Sequence, residues 1–417
     1  IFGGLADVYS SQWDIPYLSA VLDIFDDDPM APAHNYFHDI LAIHNYTYAY
    51  RSWRATIIAQ RRLDARQLDN EIWLNESGVP VWDDYPGPVC EPTSPFRATM
   101  QEQAAFIIQS AFYARTAGAD NIFFFSLYDE CGNVGGNPPY FPPDQCLSNP
   151  PPPTYAGDAF GLFRNPANSF SGCSTQHPQA GTPRPALAAY QVLTQYAGNI
   201  YPLWRARPGI PGSGNGLQEW IAFYQPHTQS RVLGLWALTD EAATAVVPAT
   251  HSSQSGLLVS PDGSTQTIQA TNGIFSITLP AATNHNPPTD VYANVALFAI
   301  GGRPFLLIEE DDLAPDVTIS APPVAAVNVT LSWTGNDLGS NLLNFDVTVS
   351  ENGGPALPWL SATTAVSATY APLAEGRSYT FTVYGRDQAG NVSPGTAVTT
   401  IAAILDNHVY LPAIQKP

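Results

Sequence analysis

The stretch Asn70-Glu71-Ile72-Trp73-Leu74-Asn75-Glu76-Ser77-Gly78 decides how the rest of the chain is read. Ile72, Trp73 and Leu74 are the residues of a buried strand, and Ser77-Gly78-Val79-Pro80 turns the chain away directly after Glu76. A side-chain period of two places Ile72, Leu74 and Glu76 on one face and Trp73 and Asn75 on the other. The strand therefore ends by presenting one carboxylate at its C-terminal tip, pointing the same way as the strand's core residues.

The segments around it repeat a strand-helix rhythm. Upstream, Ile1 to Val8 reads as a short buried strand, and Leu18, Val21, Leu22 and Phe25 recur at helical spacing between Ile15 and Phe25. A second strand runs from Asp39 to Tyr46, with Ile40, Ala42, His44 and Tyr46 on one face, and a helix follows between about Tyr50 and Leu68. Downstream, Thr99 and Glu102 fit a capping box ahead of a stripe of Met100, Ala104, Ile107, Ile108, Ala111 and Phe112. Asn121 to Tyr128 reads as a fourth buried strand, and Pro185 to Tyr196 as a closing helix. Four such units predict a parallel sheet covered by helices over residues 1–200. Asp83, Asp84 and Asp26 to Asp28 read as solvated turns.

From about Tyr201 the pattern changes to short alternating strands, among them Glu219–Tyr224, Arg231–Trp236, Gly273–Leu279 and Arg303–Ile308. Turn signals separate them, which predicts an antiparallel β-sandwich over 201–311. Glu309-Glu310-Asp311-Asp312 reads as a charged hinge. Beyond it, Val329–Trp333, Asn344–Val349 and Ser378–Tyr384 alternate cleanly over a last domain at 312–405, followed by a tail at 406–417.

The chain has 417 residues, enough for several domains, and its 45% hydrophobic content supports packed cores. A net charge of −20 with 16 Lys and Arg argues against nucleic acid and against an anionic membrane surface as partners. No apolar run is long enough to span a bilayer. The chain opens at Ile1 without Met and without a signal peptide, which reads as a processed or truncated start. The four cysteines, Cys90, Cys131, Cys146 and Cys173, fall in Pro/Gly-rich stretches at no zinc spacing. Their even number suits two disulfides, with three connectivities open; Cys131 and Cys146 bracket one loop and are the favoured pair, leaving Cys90 with Cys173. Low Lys, few Met and these cysteines point to an extracellular or cell-surface protein. No cofactor and no metal is expected.

Residues 1–200 resemble the second half, strands 5 to 8, of a retaining glycoside hydrolase (β/α)8 barrel, a TIM barrel of the superfamily with catalytic Glu residues on strands 4 and 7. The matching features are His44-x-Tyr46, Ile72 to Gly78, Phe123 to Asp129, Phe160-Gly-Leu-Phe163, and Arg184-Pro185 opening the last helix. The resemblance implies that Glu76 is the nucleophile, that His44 and Tyr46 bond it or the sugar, and that Trp82, Tyr128 and Asp129 face a carbohydrate substrate. It also implies that the acid/base partner lies on strand 4, upstream of residue 1. A four-stranded half-barrel exposes two sheet edges, so an N-terminal fragment of the same precursor or another chain is expected to complete it. Trp333, the Tyr379-x-Phe381-x-Val383 strand and the Asp387-Gln-Ala-Gly-Asn391 turn resemble a bacterial fibronectin type III module over about residues 313 to 404, which implies a spacer or binding role. The competing expectation is a catalytically degenerate barrel serving as a structural or carbohydrate-binding part of a surface assembly.

Overall fold

Helical spacing and strand alternation translate into nine strands and α-helices among the described residues before residue 200. They are β1 (Asp7–Tyr9), β2 (Asp14–Pro16), α1 (Tyr17–Asp26), β3 (Ile40–Tyr46), α2 (Ala49–Asp64), β4 (Glu71–Gly78), α3 (Met100–Thr116), β5 (Asn121–Phe124) and α4 (Pro185–Tyr196). The structure, a computed structural model, describes residues 7–9, 14–46, 48–81, 83–84, 98–129, 159–164, 179–210, 213–284 and 298–403. The four cysteines, Trp82 and residues 1–6 lie outside the described residues.

The parallel sheet has three strands among the described residues, in the order β3-β4-β5. The expected first strand is not among them, because Asp7–Tyr9 pairs antiparallel with β2 in a separate hairpin. Helices cover one face. Leu41 and Ile43 of β3 and Ile72 and Leu74 of β4 share a core with Leu18 and Leu22 of α1 and with Ala59 and Leu63 of α2. The opposite face carries Trp73 and Phe123, whose rings meet at 5.6 Å. Phe123 is 47% exposed, so β5 is half-buried and shorter than the buried strand read from Asn121 to Tyr128.

Helix α3 is fixed at its start by the expected capping box: Thr99 accepts from the Glu102 N–H, and Glu102 accepts from the Thr99 N–H. The aspartate read as a solvated turn residue, Asp83, accepts from the Met100 N–H at 2.8 Å. Burial pushes the Asp83 carboxyl upward, which that hydrogen bond offsets in part. The predicted apolar stripe understates the helix, since every residue from Glu102 to Ala114 is buried. A helix buried on all sides needs a second layer beyond its sheet.

That layer is a β-structure with eight strands among the described residues: β6 (Tyr201–Ala206), β7 (Gln218–Gln225), β8 (Ser230–Ala237), β9 (Ala243–Pro248), β10 (Ser255–Val259), β11 (Thr265–Gln269), β12 (Ile274–Leu279) and β13 (Phe305–Glu310). Six form an antiparallel sheet ordered β11-β10-β13-β8-β7-β6, and β9 pairs with β12. One side of the large sheet packs on α3 and the other on β9 and β12, which is why all eight residues of β8 are buried. Phe112 meets Phe223 edge to face at 5.0 Å, and Tyr113 meets Trp236 at 5.3 Å.

Polar groups of α3 find partners in the same layer. Gln109 donates to the Gly302 carbonyl and accepts from the Gly301 N–H, each at 2.9 Å. Tyr113 donates to the fully buried Glu219, which also takes Arg205 and Arg207. Burial, reinforced by the Glu219 charge, raises the Tyr113 hydroxyl well above its ordinary value.

The chain divides into two compact units, Ile1–Glu310 and Asp311–Pro417. Glu309 is not part of a hinge: it is a buried residue of β13, ion-paired with the equally buried Arg231. The second unit contains β14 (Asp316–Ser320), β15 (Val324–Ala325), β16 (Val329–Asn336), β17 (Leu342–Glu351), β18 (Leu357–Thr363), β19 (Ser367–Tyr370), β20 (Ser378–Asp387) and β21 (Thr396–Ala402). Two sheets, β14-β16-β19 and β15-β21-β20-β17-β18, enclose a core of Trp333, Phe345, Val347, Phe381 and Val383. The Ala374 N–H donates to the Tyr379 hydroxyl at 2.9 Å, tying the loop before β20 to that strand.

The packing of α3 on β8 yields a testable coupling. A Cβ on Gly234 would lie 2.5 Å from Cδ1 of Phe112. Phe112→Ala is expected to cost about 3–5 kcal/mol in urea unfolding, and Gly234→Ala about 1–3 kcal/mol. Made together, they are expected to cost less than the sum, because removing the ring opens the space the methyl needs. Strict additivity would contradict this packing.

Candidate functional site

Glu76 lies one residue beyond a break in the β3-β4 register. Ile43 pairs with Leu74, but His44 pairs with Glu76, so Asn75 is the extra residue of a β-bulge. The bulge shifts the phase of the strand. Ile72 and Leu74 pack on the helices, and after the bulge Ser77 takes over that side, bonding Ser110 of α3 at 2.8 Å. Glu76 is thereby moved to the open face with Trp73, and not onto the face of Ile72 and Leu74 as strict alternation predicts.

On the open face Glu76 meets both residues that β3 was expected to bring. The Tyr46 hydroxyl donates to Oε2 of Glu76 at 2.5 Å, and His44 Nδ1 lies 3.3 Å from the same oxygen. The side chains of His44 and Glu76 are about one-third exposed, 35% and 36%. No described residue bonds the other oxygen, Oε1. One oxygen is held and the other is presented.

Behind the sheet, a chain of buried polar groups fixes the strand ends. Asn45 donates to Ser52 Oγ at 2.6 Å, Ser52 and Ser110 hydroxyls meet at 2.6 Å, and Ser110 meets Ser77. It links β3, α2, α3 and β4 directly beneath Glu76, and each member is buried with a partner, as low-dielectric surroundings require. None of this was readable in advance, because serines inside helices carry no local signal for their partners.

Aromatic rings wall the site. Tyr46 packs edge-on against Phe125 at 6.0 Å and Phe160 at 5.6 Å, and Phe125 and Phe160 are 5.6 Å apart. Gly78 permits this approach, since a Cβ there would lie 2.5 Å from the Phe125 carbonyl oxygen and 3.0 Å from the Phe160 ring. Tyr128 is 42% exposed and stacks at a tilt on Phe163. Trp82 lies outside the described residues.

Asp129, expected to face a substrate, is buried in an ion pair. Both of its oxygens are taken by Arg184, at 2.6 and 2.7 Å, and the Gly161 N–H adds a third bond at 2.8 Å. Burial pushes the Asp129 carboxyl upward, and the Arg184 guanidinium offsets part of that. Arg184 also bonds Asp84 at 2.8 Å, as does Arg164. Asp84 is therefore a half-buried ion-pair residue and not a solvated one. This bidentate cluster clamps the Phe160–Arg164 segment and the start of α4 against the end of β5. A cavity of about 370 Å³ lined by Arg115, Asn121, Phe124, Tyr190 and Asn199 opens at the N-terminal end of β5, away from Glu76.

Residues 314–401 match the fibronectin type III domain family. No curated protein matches the chain. Among solved structures, a family 39 glycoside hydrolase from the gut symbiont Bacteroides cellulosilyticus is similar at 15% identity and a TM-score of 0.41, over 69% of this chain and 47% of that one. The chain thus spans about half the length of that hydrolase. The fibronectin(III)-like modules of Clostridium thermocellum CbhA are similar at 14% identity and a TM-score of 0.17, over 21% of this chain and 97% of theirs. The twitchin kinase region of C. elegans is similar at 21% identity and a TM-score of 0.17, over 19% of this chain and 15% of that one.

Removing the buried cation should expose its structural role. Arg184→Leu leaves the buried Asp129 without its cation and the half-buried Asp84 with Arg164 alone, and is expected to lower stability by about 3–5 kcal/mol in denaturant unfolding. Adding Asp129→Asn and Asp84→Asn should recover part of the loss. A single-variant loss below about 1 kcal/mol would place the cluster outside the core.

Proposed function

We propose that Glu76 is the nucleophile of a retaining glycoside hydrolase acting on polysaccharide or glycoconjugate outside the cell. The open face of β3-β4-β5 is then part of the interior of a (β/α)8 barrel whose remaining strands come from another segment of the same precursor or from a partner chain. The observation that carries this reading is the Glu76 carboxylate: it stands at the carboxyl end of a parallel strand, re-aimed by a bulge, with Oε2 held by Tyr46 and His44 and Oε1 presented. A second support is the aromatic pair of half-buried Trp73 and exposed Phe123 on the open face, which a completed barrel would cover.

The chemistry follows from the geometry. Oε1 attacks the anomeric carbon as the bond to the leaving oxygen breaks, and a second carboxyl group roughly 5 Å away protonates that oxygen. The glycosyl ester on Glu76 is then opened by water, deprotonated by the same second group, and the carboxylate is restored. Through this cycle the Tyr46 hydroxyl stays on Oε2, fixing the carboxylate plane so that Oε1 keeps its aim. Tyr128 and Trp82 are proposed to stack on sugar faces. The second carboxyl group belongs to the completing segment. The fibronectin type III domain acts as a spacer.

The test is hydrolysis of activated aryl glycosides by the protein in its complete, assembled form. Glu76→Gln is expected to lower turnover roughly a thousandfold or more, with an unchanged unfolding midpoint. Tyr46→Phe should leave the fold intact and lower kcat more than it alters KM. Turnover unaffected by Glu76→Gln would remove the enzyme reading and leave a carbohydrate-binding or structural role.

A further inference from the structure

The fibronectin type III module brings three carboxylates together at one end. One oxygen each from Asp311, Asp337 and Asp387 lies within 4.8 Å of the other two. They come from three separate segments: the stretch leading into β14, the turn after β16 and the end of β20. Asp387 is 0% exposed and Asp311 5%. Two of the three are already partly satisfied. Asn391 donates to Asp387 through its backbone N–H at 2.8 Å and its side-chain amide at 2.9 Å. The Gly339 and Ser340 N–H groups donate to Oδ2 of Asp337 at 3.0 and 2.6 Å.

Asp311 is different. Neither of its carboxylate oxygens has a hydrogen bond of ordinary geometry, although both are buried. The neighbouring charges it feels, Asp337 and Asp387, have its own sign. Burial pushes its carboxyl up to about 7, with those two aspartates adding to the shift and the nearby Ser340 offsetting part of it. Buried charges in proteins are paired or coordinate metals. The surroundings are also built to hold this geometry. A Cβ on Gly339 would fall 2.2 to 2.4 Å from the atoms of the Asp311 carboxyl group, so any side chain there would push that carboxyl out of its present position. The Asn391 side chain donates to the carbonyls of Asp311 and Leu313 at 3.1 and 3.4 Å, tying the entering segment to the turn that carries Asp387.

We propose that Asp311, Asp337 and Asp387 bind one hard divalent cation of calcium's size within the fibronectin type III module. The donors are all oxygen, which disfavours zinc and other nitrogen- or sulfur-seeking metals. Calcium bonds oxygen at about 2.3–2.6 Å, so ligands on opposite sides of it stand up to about 5 Å apart, as this trio does. Magnesium bonds at about 2.0–2.1 Å and requires closer, near-octahedral ligands. The charges that repel one another without a cation become its ligands, and Asn391, Gly339 and Ser340 set their positions from behind.

The experiment titrates the full chain with CaCl2 by calorimetry and follows thermal unfolding in EDTA and in calcium. About 2 mM calcium is expected to raise the midpoint of the module's transition by at least about 5 °C, with a smaller shift for magnesium. Asp387→Asn and Asp337→Asn should each weaken calcium binding at least tenfold while keeping the module's transition in EDTA. Asp311→Asn should abolish the shift yet unfold in EDTA no lower than the unaltered chain, because it removes a buried charge. No calcium heat and no shift in the unaltered chain, or unchanged affinity in the folded variants, would overturn the site. A magnesium shift equal to the calcium shift would overturn its assignment to calcium.

Discussion

Helix α3 has no free face from Glu102 to Ala114, and the described sheets and helices before residue 311 are arranged around that constraint. Thirteen consecutive residues from Glu102 to Ala114 are buried, so both the parallel sheet and the antiparallel layer must reach it. Apolar contact alone does not suffice, because the same run includes Glu102, Gln103, Gln109 and Ser110. Each finds a specific partner: Thr283 and Asn284 for Glu102, the Val79 and Phe160 carbonyls for Gln103, the Gly301–Gly302 backbone for Gln109, and Ser52 and Ser77 for Ser110. Buried polar groups are costly unless bonded, so these bonds fix the rotation and height of the helix within its packed surroundings.

The candidate site inherits its precision from that arrangement. Ser110 holds Ser77, Ser77 closes the strand after the bulge, and the bulge turns Glu76 away from the helices. On the other side Ser52 and Asn45 hold the end of β3, from which His44 and Tyr46 reach the same carboxylate oxygen. A loop carrying these three groups would scatter them, whereas two strand ends cross-linked to buried helices hold them within bonding distance. The Asp129–Arg184–Asp84 cluster does a similar task for the aromatic wall, clamping the segment that contains Phe160.

Much of this was legible in the residues. The period of two in Ile40 to Tyr46 placed His44 and Tyr46 on one face, the Thr99-x-x-Glu102 spacing located the start of α3, and the alternation around Trp333 and Phe381 marked the fibronectin type III domain. What escaped has a common cause. The bulge at Asn75 is a property of pairing with β3 and leaves no mark in the strand's own sequence. Complete burial of α3 depends on a layer encoded more than a hundred residues later. Asp84 and Glu309 looked like surface acids, and Asp129 like a substrate contact, because their arginine partners, Arg164, Arg231 and Arg184, are distant in sequence. Of the trio, Asp311 was likewise hidden in what read as a hinge and Asp387 in a turn.

The central claim is that Glu76 presents one carboxylate oxygen for covalent chemistry. It is tested most directly by exposing the assembled protein to activated fluorosugar glycosides, which trap the glycosyl ester of a retaining enzyme, and locating the adduct by peptide mass spectrometry. The account predicts a single sugar ester on the peptide containing Glu76. An adduct on a different residue would contradict it, as would glycoside hydrolysis that proceeds with no trappable ester.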